Sequence, residues 1–399
     1  MTQATGSQAS ISIWEESTYA TRPGSPTMFK INAAVEGVTL KRNVEKLTSN
    51  ALTSARGTAS TRGGNITVSG ALPFELPLLG IGKLLKHVIG TAASPVSVKL
   101  VSLGSGLTNL IVRCADTGTP AGAGTITLTA TSLTWAANGE TAGASVDVAA
   151  GGEFTLQSSV ASHALTILVT GTVVGTTATA TVGAAAYKHV ITRGALPVGF
   201  GAQVAHPDIS QFEVFDGLKA NAMSLSVANS GIVTGSMDLI GADGDIVGTT
   251  LGTPTSLAHV PFVHHECTLM DGGAAATMTA FSFDIANDLD PMNPIGNRKI
   301  ITLREGMGIA SGQITTLFED ATMINKVINE TASAIRAYFG ATDGTGSVEF
   351  KFPNVKFYGD IGVGIPTAKG LVLASDFHAD TSVGGTDIQV TIINSEATI

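Results

Sequence analysis

The sequence predicts a mostly-β protein in which one strand–loop–strand–helix–strand pattern occurs twice, with a β-sandwich inserted into the first copy. Three observations predict it. The chain holds 47 glycines, only 13 % of its 399 residues are charged, and Val, Ile, Thr, Ser and Ala dominate the rest, a composition of strands and turns. A long central segment alternates apolar and polar residues between glycines. The same order of elements recurs on either side of that segment.

The first copy begins after an N-terminal stretch, MTQATGSQAS, whose lack of periodicity reads as an arm that orders on assembly. A strand is expected near 37–43. A long polar loop follows, with Thr53-Ser54-Ala55-Arg56-Gly57 and Thr61-Arg62-Gly63-Gly64, and then a strand at 65–69. Residues 81–88 have helical spacing and stop before Gly90, a residue suited to end a helix. Beyond the central segment, strands are expected at 187–192, 211–215, 218–228 and 232–240.

The second copy starts with a strand at 277–285. Its long loop carries Asp288, Asp290-Pro291, Asn293-Pro294 and Gly296-Asn297-Arg298. A strand at 299–303, a helix at about 317–328, and strands at 334–339, 347–358, 371–377 and 387–393 complete it. Phe215-Asp216-Gly217-Leu218-Lys219 echoes Phe352-Pro353-Asn354-Val355-Lys356. Downstream, Gly231-Ile232-Val233-Thr234-Gly235-Ser236 echoes Gly370-Leu371-Val372-Leu373-Ala374-Ser375. The C-terminal residues 394–399 lack periodicity and are expected to order on assembly.

Between Ala93 and Ala186 the charged residues are Lys99, Arg113, Asp116, Glu140, Asp147 and Glu153. Runs such as Thr125-Ile126-Thr127-Leu128-Thr129 and Ala164-Leu165-Thr166-Ile167-Leu168-Val169 alternate cleanly. This segment reads as an immunoglobulin-like sandwich in architecture only, since no Cys…Trp…Cys spacing is present.

The net charge of −9 and pI near 5.3 argue against tight DNA binding, which needs Lys and Arg to displace counterions. A mean hydropathy of +0.31 is high for a chain whose apolar runs fall short of the ~20 residues of a spanning helix; it suggests apolar surface covered in an assembly. The start has no basic and apolar leader regions, so synthesis in the cytoplasm is expected. Cys114 and Cys267 read as reduced, buried thiols. His259, His264, His265, Glu266, Cys267 and Asp271 gather in sequence, but their spacing matches no standard zinc pattern. Gly80-Ile81-Gly82-Lys83 is followed by Leu84 where a phosphate loop needs Ser or Thr after its Lys. No GxSxG elbow supports a hydrolase. Asn65-Ile66-Thr67 fits a glycosylation sequon without a leader to make it meaningful. Trp14 and Trp135 read as core or interface anchors. No catalytic residue, cofactor or metal is expected.

Several of these residues resemble a known family. Phe215 through Val227 (FDGLKANAMSLSV) with Gly231-Ile232-Val233-Thr234, Arg56…Arg62-Gly63-Gly64…Val68-Ser69-Gly70, and Phe350-Lys351-Phe352-Pro353-Asn354-Val355-Lys356 resemble the major tail tube proteins of long-tailed bacteriophages. The resemblance implies tandem tube domains, each of packed antiparallel sheets with one flanking helix: residues 1–92 with 187–248, and 249–399, the Ig-like insert being 93–186. It implies a virion tail protein made in the host bacterium. Such subunits form closed rings, here a trimer with pseudo-sixfold symmetry or else a hexamer, that stack through a long loop or hairpin and conduct double-stranded DNA without binding it. Tape-measure, tail terminator and distal tail proteins are the implied partners. Arg56, Arg62, Asp288, Asp290 and Arg298 are the candidates for ring stacking. Asp216, Asp238, Asp243 and Asp245 are the candidates for an acidic lumen or rim. A surface adhesin or carbohydrate-binding protein acting through the insert is the competing expectation, with a zinc-dependent β-hydrolase behind it.

Overall fold

The computed structural model describes residues 4–33, 37–51, 58–103, 111–116, 125–129, 153–158, 177–272, 274–275, 277–341, 345–359, 371–381 and 385–399. The protein is mostly β, with two short α-helices among the described residues. In chain order the elements are β1 (Ser10–Glu15), β2 (Phe29–Ile31), β3 (Lys41–Thr48), β4 (Thr61–Glu75), α1 (Ile81–Ile89), β5 (Val96–Leu103), β6 (Ile111–Asp116), β7 (Thr125–Thr129), β8 (Glu153–Ser158) and β9 (Thr177–Thr192). Then come β10 (Phe200–His206), β11 (Gln211–Ala228), β12 (Thr234–Gly241), β13 (Asp243–Val247), β14 (Cys267–Asp271), β15 (Ala274–Ala275), β16 (Met278–Ala286), β17 (Asp290–Met292) and β18 (Thr302–Arg304). The chain closes with β19 (Ile309–Leu317), α2 (Thr322–Ile328), β20 (Ser333–Gly340), β21 (Ser347–Tyr358), β22 (Val372–Ala379) and β23 (Gln389–Asn394). All pair antiparallel except β6 with β8, and only the hairpin β17–β18 stands outside one connected network of 21 strands among the described residues.

Two long strands organise the network. The first part of β11 pairs with β10 and β13; from Lys219 onward it pairs with β12 and, from Ala222, with β16. The first part of β21 pairs with β20 and β23; from Val355 onward it pairs with β22. Each strand thus leaves one sheet and enters another at a corner. The burial pattern shows why: Val214–Ala220 of β11 is buried without a break at the corner, and alternation resumes beyond it. Gly217, with φ +69°, turns the first corner. A backbone bond locks each corner, from Ala242 N to Asp216 O at 3.1 Å and from Asp380 N to Asn354 O at 2.9 Å.

Beyond the corners the strands lie side by side in the order β3-β4-β12-β11-β16-β19-β22-β21. One face of this sheet is apolar and buried, through Val68, Leu72, Met237, Leu239, Met223, Leu225, Phe283, Ile285, Ile314 and Phe377. Ile11 and Ile13 of β1, Ala202 of β10 and most of α1 join it in one core. The core is aliphatic around α1 and aromatic further along, where Phe283 lies 5.0 and 5.2 Å from the rings of Phe350 and Phe352. Offset and edge-on ring packing of this kind adds to the effect of burial.

The helix α1 covers that core as the sequence predicts, one residue longer, and Gly90 ends it by donating to Lys86 O. The C-terminal residues depart from expectation: they are docked on α1. Glu396 accepts from Gly80 N at 2.7 Å and pairs with Lys83 at 3.4 Å, while Lys83 donates to Thr398 O and Lys86 to Ile399 O. The helix supplies two lysines and a free N-terminal N–H, and the tail satisfies them.

Segment 93–186 leaves and rejoins the body at one place. Ala92 bridges Ile191, Ala93 N donates to Val190 O at 2.8 Å, and β5 continues along β9. The run 125–129 is a strand as expected; the run 164–169 and Trp135 lie outside the described residues.

Candidate functional surface

The exposed face of the long sheet is built by strand alternation. Where Met237 and Leu239 point into the core, Ser236, Asp238 and Ile240 point out; where Phe281, Phe283 and Ile285 point in, Ser282, Asp284 and Ala286 point out. Rows across the strands keep one face: Ala71, Asp238, Ala222 and Ala286 share a row, as do Ser236, Ser224, Asp284, Ser311, His378 and Lys356. Asp376 stands between Gln313, which donates to it at 2.7 Å, and Tyr358. The face is therefore mostly Ser, Ala and Thr, with the carboxylates Asp238, Asp284 and Asp376. Small polar side chains and spaced acids, with Lys356 as the basic residue of these rows, offer a duplex little basic grip.

Of the four acids expected at a lumen or rim, Asp238 lies on this face. Asp216 is buried at the first corner, where Arg22 grips both its oxygens at 3.1 and 2.6 Å. Asp243 is held between Arg42 at 3.1 Å and Lys299 at 2.5 Å; partial burial pushes its pKa up, but the hydrogen bonds from Lys299, Arg42 and Gly244 N outweigh it and hold the pKa below the usual carboxylate range. Asp245 is exposed on β13 and accepts from Ile246 N. Asp284 and Asp376 were missed, although the in–out alternation of β16 and β22 marks them.

The expected stacking residues fall on two hairpins. Arg56 lies outside the described residues. Arg62 is on β4, opposite Leu47 of β3, so the polar loop is shorter than expected and its flanks are paired strands. Every residue of β3 is exposed. Asp290 is ion-paired with Arg304 at 2.7 Å across β17–β18. Asp288 adopts φ +46° just before that hairpin. Arg298 is turned back onto the chain: its Nε donates to Gly64 O at 2.8 Å and its carbonyl accepts from Ile66 N at 2.7 Å. Ile295, at 107 % exposure, marks the tip of the same loop.

Both edges of the long sheet are open among the described residues: β3 pairs with β4 alone, and Lys356–Tyr358 of β21 pair with β22 alone. The histidines near Cys267 are engaged separately: His259 pairs with Glu75 at 3.0 Å, and His264 and His265 sit on a 3-10 turn; no group of three metal-ligating side chains converges among the described residues. Cys267 is half-buried, and desolvation pushes its thiol up to about 12.

A search of the curated proteins finds no match. The family model for phage tail tube protein matches residues 6–391, nearly the whole chain. A self-pairing β-architecture with open edges and a smooth polar sheet face is what such a subunit needs, and the chain belongs to the phage tail tube protein family: it is a non-enzymatic structural subunit of the tail tube and a component of the virion's tail.

Proposed function

We propose that the subunit is a tandem duplication whose three copies close into a pseudo-sixfold ring, lined by the exposed face of the long sheet and conducting double-stranded DNA in a long-tailed phage. The observation that supports this best is a correspondence of registers. β3-β4-β12-β11 and β16-β19-β22-β21 are laid out alike. Lys219 meets Ile240 where Lys356 meets His378, Asp238 meets Ala71 where Asp376 meets Gln313, and Gly70 meets Leu239 where Gly312 meets Phe377. The sequence echo around Lys219 and Lys356 falls on the two corners. On this reading 1–92 with 187–248 is one tube domain and 249–399 the other.

The seam between the halves, β11 against β16, then serves as the template for the contact between chains. Its equivalents are the two open edges, β21 of one chain and β3 of the next. The seam pair Ala222–Ala286 translates to Tyr358 facing Asn43 of the neighbour. Such a contact is heterologous and, when it closes, removes both open edges of the long sheet from the ring. Three chains would contribute about 24 lining strands, a barrel about 50 Å across at the backbone, enough to pass a duplex; six chains would about double it. Asp238, Asp284 and Asp376 would face the lumen and repel phosphate.

Segment 93–186 fits an inserted Ig-like domain, because its two ends are hydrogen-bonded neighbours. The two hairpins, with Arg62, Asp288, Asp290 and the exposed Ile295, suit contact with the next ring, whereas Arg298 already serves its own chain. Tape-measure, terminator and distal tail proteins would be the further partners.

Electron microscopy of the concentrated protein tests the reading. Stacked rings of three chains are expected. Rings of six chains would overturn the pseudo-sixfold arrangement, and a chain that stays monomeric while its isolated insert binds glycans would favour an adhesin.

A further inference from the structure

The two halves differ at one end of the long sheet. In the first, β4 and β12 splay after Leu76 and Val233, and the segment joining the halves fills the gap: Phe262 N donates to Leu76 O at 2.8 Å, and Val233 N donates to Phe262 O at 2.9 Å. Leu76, Val233 and Phe262 are all at most 2 % exposed. In the second half, Phe318 N donates to Leu371 O at 3.0 Å, just as Leu76 N donates to Val233 O at 2.9 Å. Nothing among the described residues takes the place of Phe262. Leu317, Phe318 and Val372 are 40, 38 and 50 % exposed. A cavity of about 330 Å³ opens beside Phe318, Met323 and Leu373.

The chain contains a second segment of the same shape. Phe262 precedes a 3-10 turn, His264–Glu266, in which Glu266 N donates to Val263 O and Cys267 N to His264 O before β14 begins. Residues 6–8 form the same turn ahead of β1, with Gln8 N donating to Thr5 O and Ala9 N to Gly6 O. β1 lies on β10 as β14 lies on β20. In this alignment Ala4 stands where Phe262 stands. In a ring the second half is followed by the first half of the next chain, so Ala4 of that chain stands to it as Phe262 stands to the first half.

We infer that residues Ala4–Gly6 of a neighbouring copy close the splayed end of β19 and β22, Ala4 bonding to Phe318 O and Leu371 N as Phe262 bonds to Leu76 O and Val233 N. The large ring has changed sides: Phe318 replaces Leu76 in the receiving strand, and Ala4 replaces Phe262 in the arriving one. The inference rests on the tandem, closed-ring reading and adds to it a strand exchange that covers exposed apolar surface on every chain.

Paired cysteines test both levels. In a Cys114→Ser, Cys267→Ser background, Ala4→Cys with Phe318→Cys is assembled, treated with a short thiol crosslinker and run on a denaturing gel. Asn43→Cys with Tyr358→Cys reports the ring seam itself. Each single-cysteine variant is first checked for tubes by microscopy. Covalent two- and three-chain species from the arm pair support the inference. A linked seam pair with an unlinked arm pair overturns it and leaves the ring standing. Linkage of the arm pair only within one chain also overturns it. If neither pair links, the ring reading fails and the inference with it. Ala4→Pro, which removes the donor, is expected to raise the concentration needed for tube assembly by about tenfold, the effect of one lost hydrogen bond; an unchanged threshold counts against it.

Discussion

Replacing Arg193 by Met would cut the polar joint of the subunit. Arg193 follows β9; its guanidinium donates to Asp387 at 3.0, 3.2 and 2.7 Å and to Asn287 Oδ1 at 3.1 Å. Asn287, 5 % exposed, in turn donates to Val88 O of α1 and Ala220 O of β11. Helix, seam and second half therefore meet on one cation. Asp387 is 5 % exposed, so Met at 193 would leave a buried carboxylate unpaired, at a cost of about 3–5 kcal/mol. The orphaned Asn287 oxygen adds about 1 kcal/mol. The pair itself contributes far less than its loss costs, because desolvation offsets most of its attraction. Arg193→Met with Asp387→Leu should therefore recover all but about 2 kcal/mol. The assay is urea unfolding of the dilute, unassembled subunit followed by circular dichroism, with the two single variants and the double completing a cycle. A loss below about 1 kcal/mol for the single variant would refute the reasoning, since it would mean that water already solvates this carboxylate.

Three further outcomes are expected. Glu16 is buried at the first corner, accepting from Gly217 N and Ala20 N, and burial raises its pKa to about 7. The folded state thus holds a proton that the unfolded chain releases near its ordinary value, so this group's contribution declines as pH rises from about 4.5 to 7; Glu16→Gln should flatten that slope in unfolding midpoints measured across the range. Deleting 395–399 strips Lys83 of Glu396 and uncovers α1, and should cost about 3 kcal/mol or more in the same urea assay; no loss would mean that the tail is undocked in solution. Gly312→Ala would drive a methyl into Ser282 O and the Phe377 ring, and Gly70→Ala into the Leu40 backbone; both should destabilise by about 1–3 kcal/mol, and tolerance of either would show that the strands there can part.

Much of the architecture was legible because it depends on local pattern. α1 and its stop at Gly90, β16, β21 and β22 follow from spacing and alternation. What was missed has physical reasons. β19 (IASGQITTL) contains a central glycine and few apolar residues, so its strand character comes from pairing on both sides, and the expected helix began too early, at Leu317 in place of Thr322. Gly63 and Gly64 were read as loop residues; they lie within β4 and are small because Arg298 and Glu45 press on them. The ion pairs that hold Asp216 and Asp243, both lumen or rim candidates, are not legible in the sequence because their partners Arg22, Arg42 and Lys299 are remote along the chain. Asp284 and Asp376 were within reach, since a sheet's solvent face can be read from its alternation once the strand is recognised.

The joined ends of segment 93–186 make the subunit a socket. Because Ala92 and Ile191 are neighbours across one ladder, the shell is indifferent to the length of what hangs between them. Loop closure at such a point depends only weakly on length. A foreign domain with adjacent termini could be spliced in there without disturbing the strands beneath, and a tube built from such chains would display it at a density set by the ring.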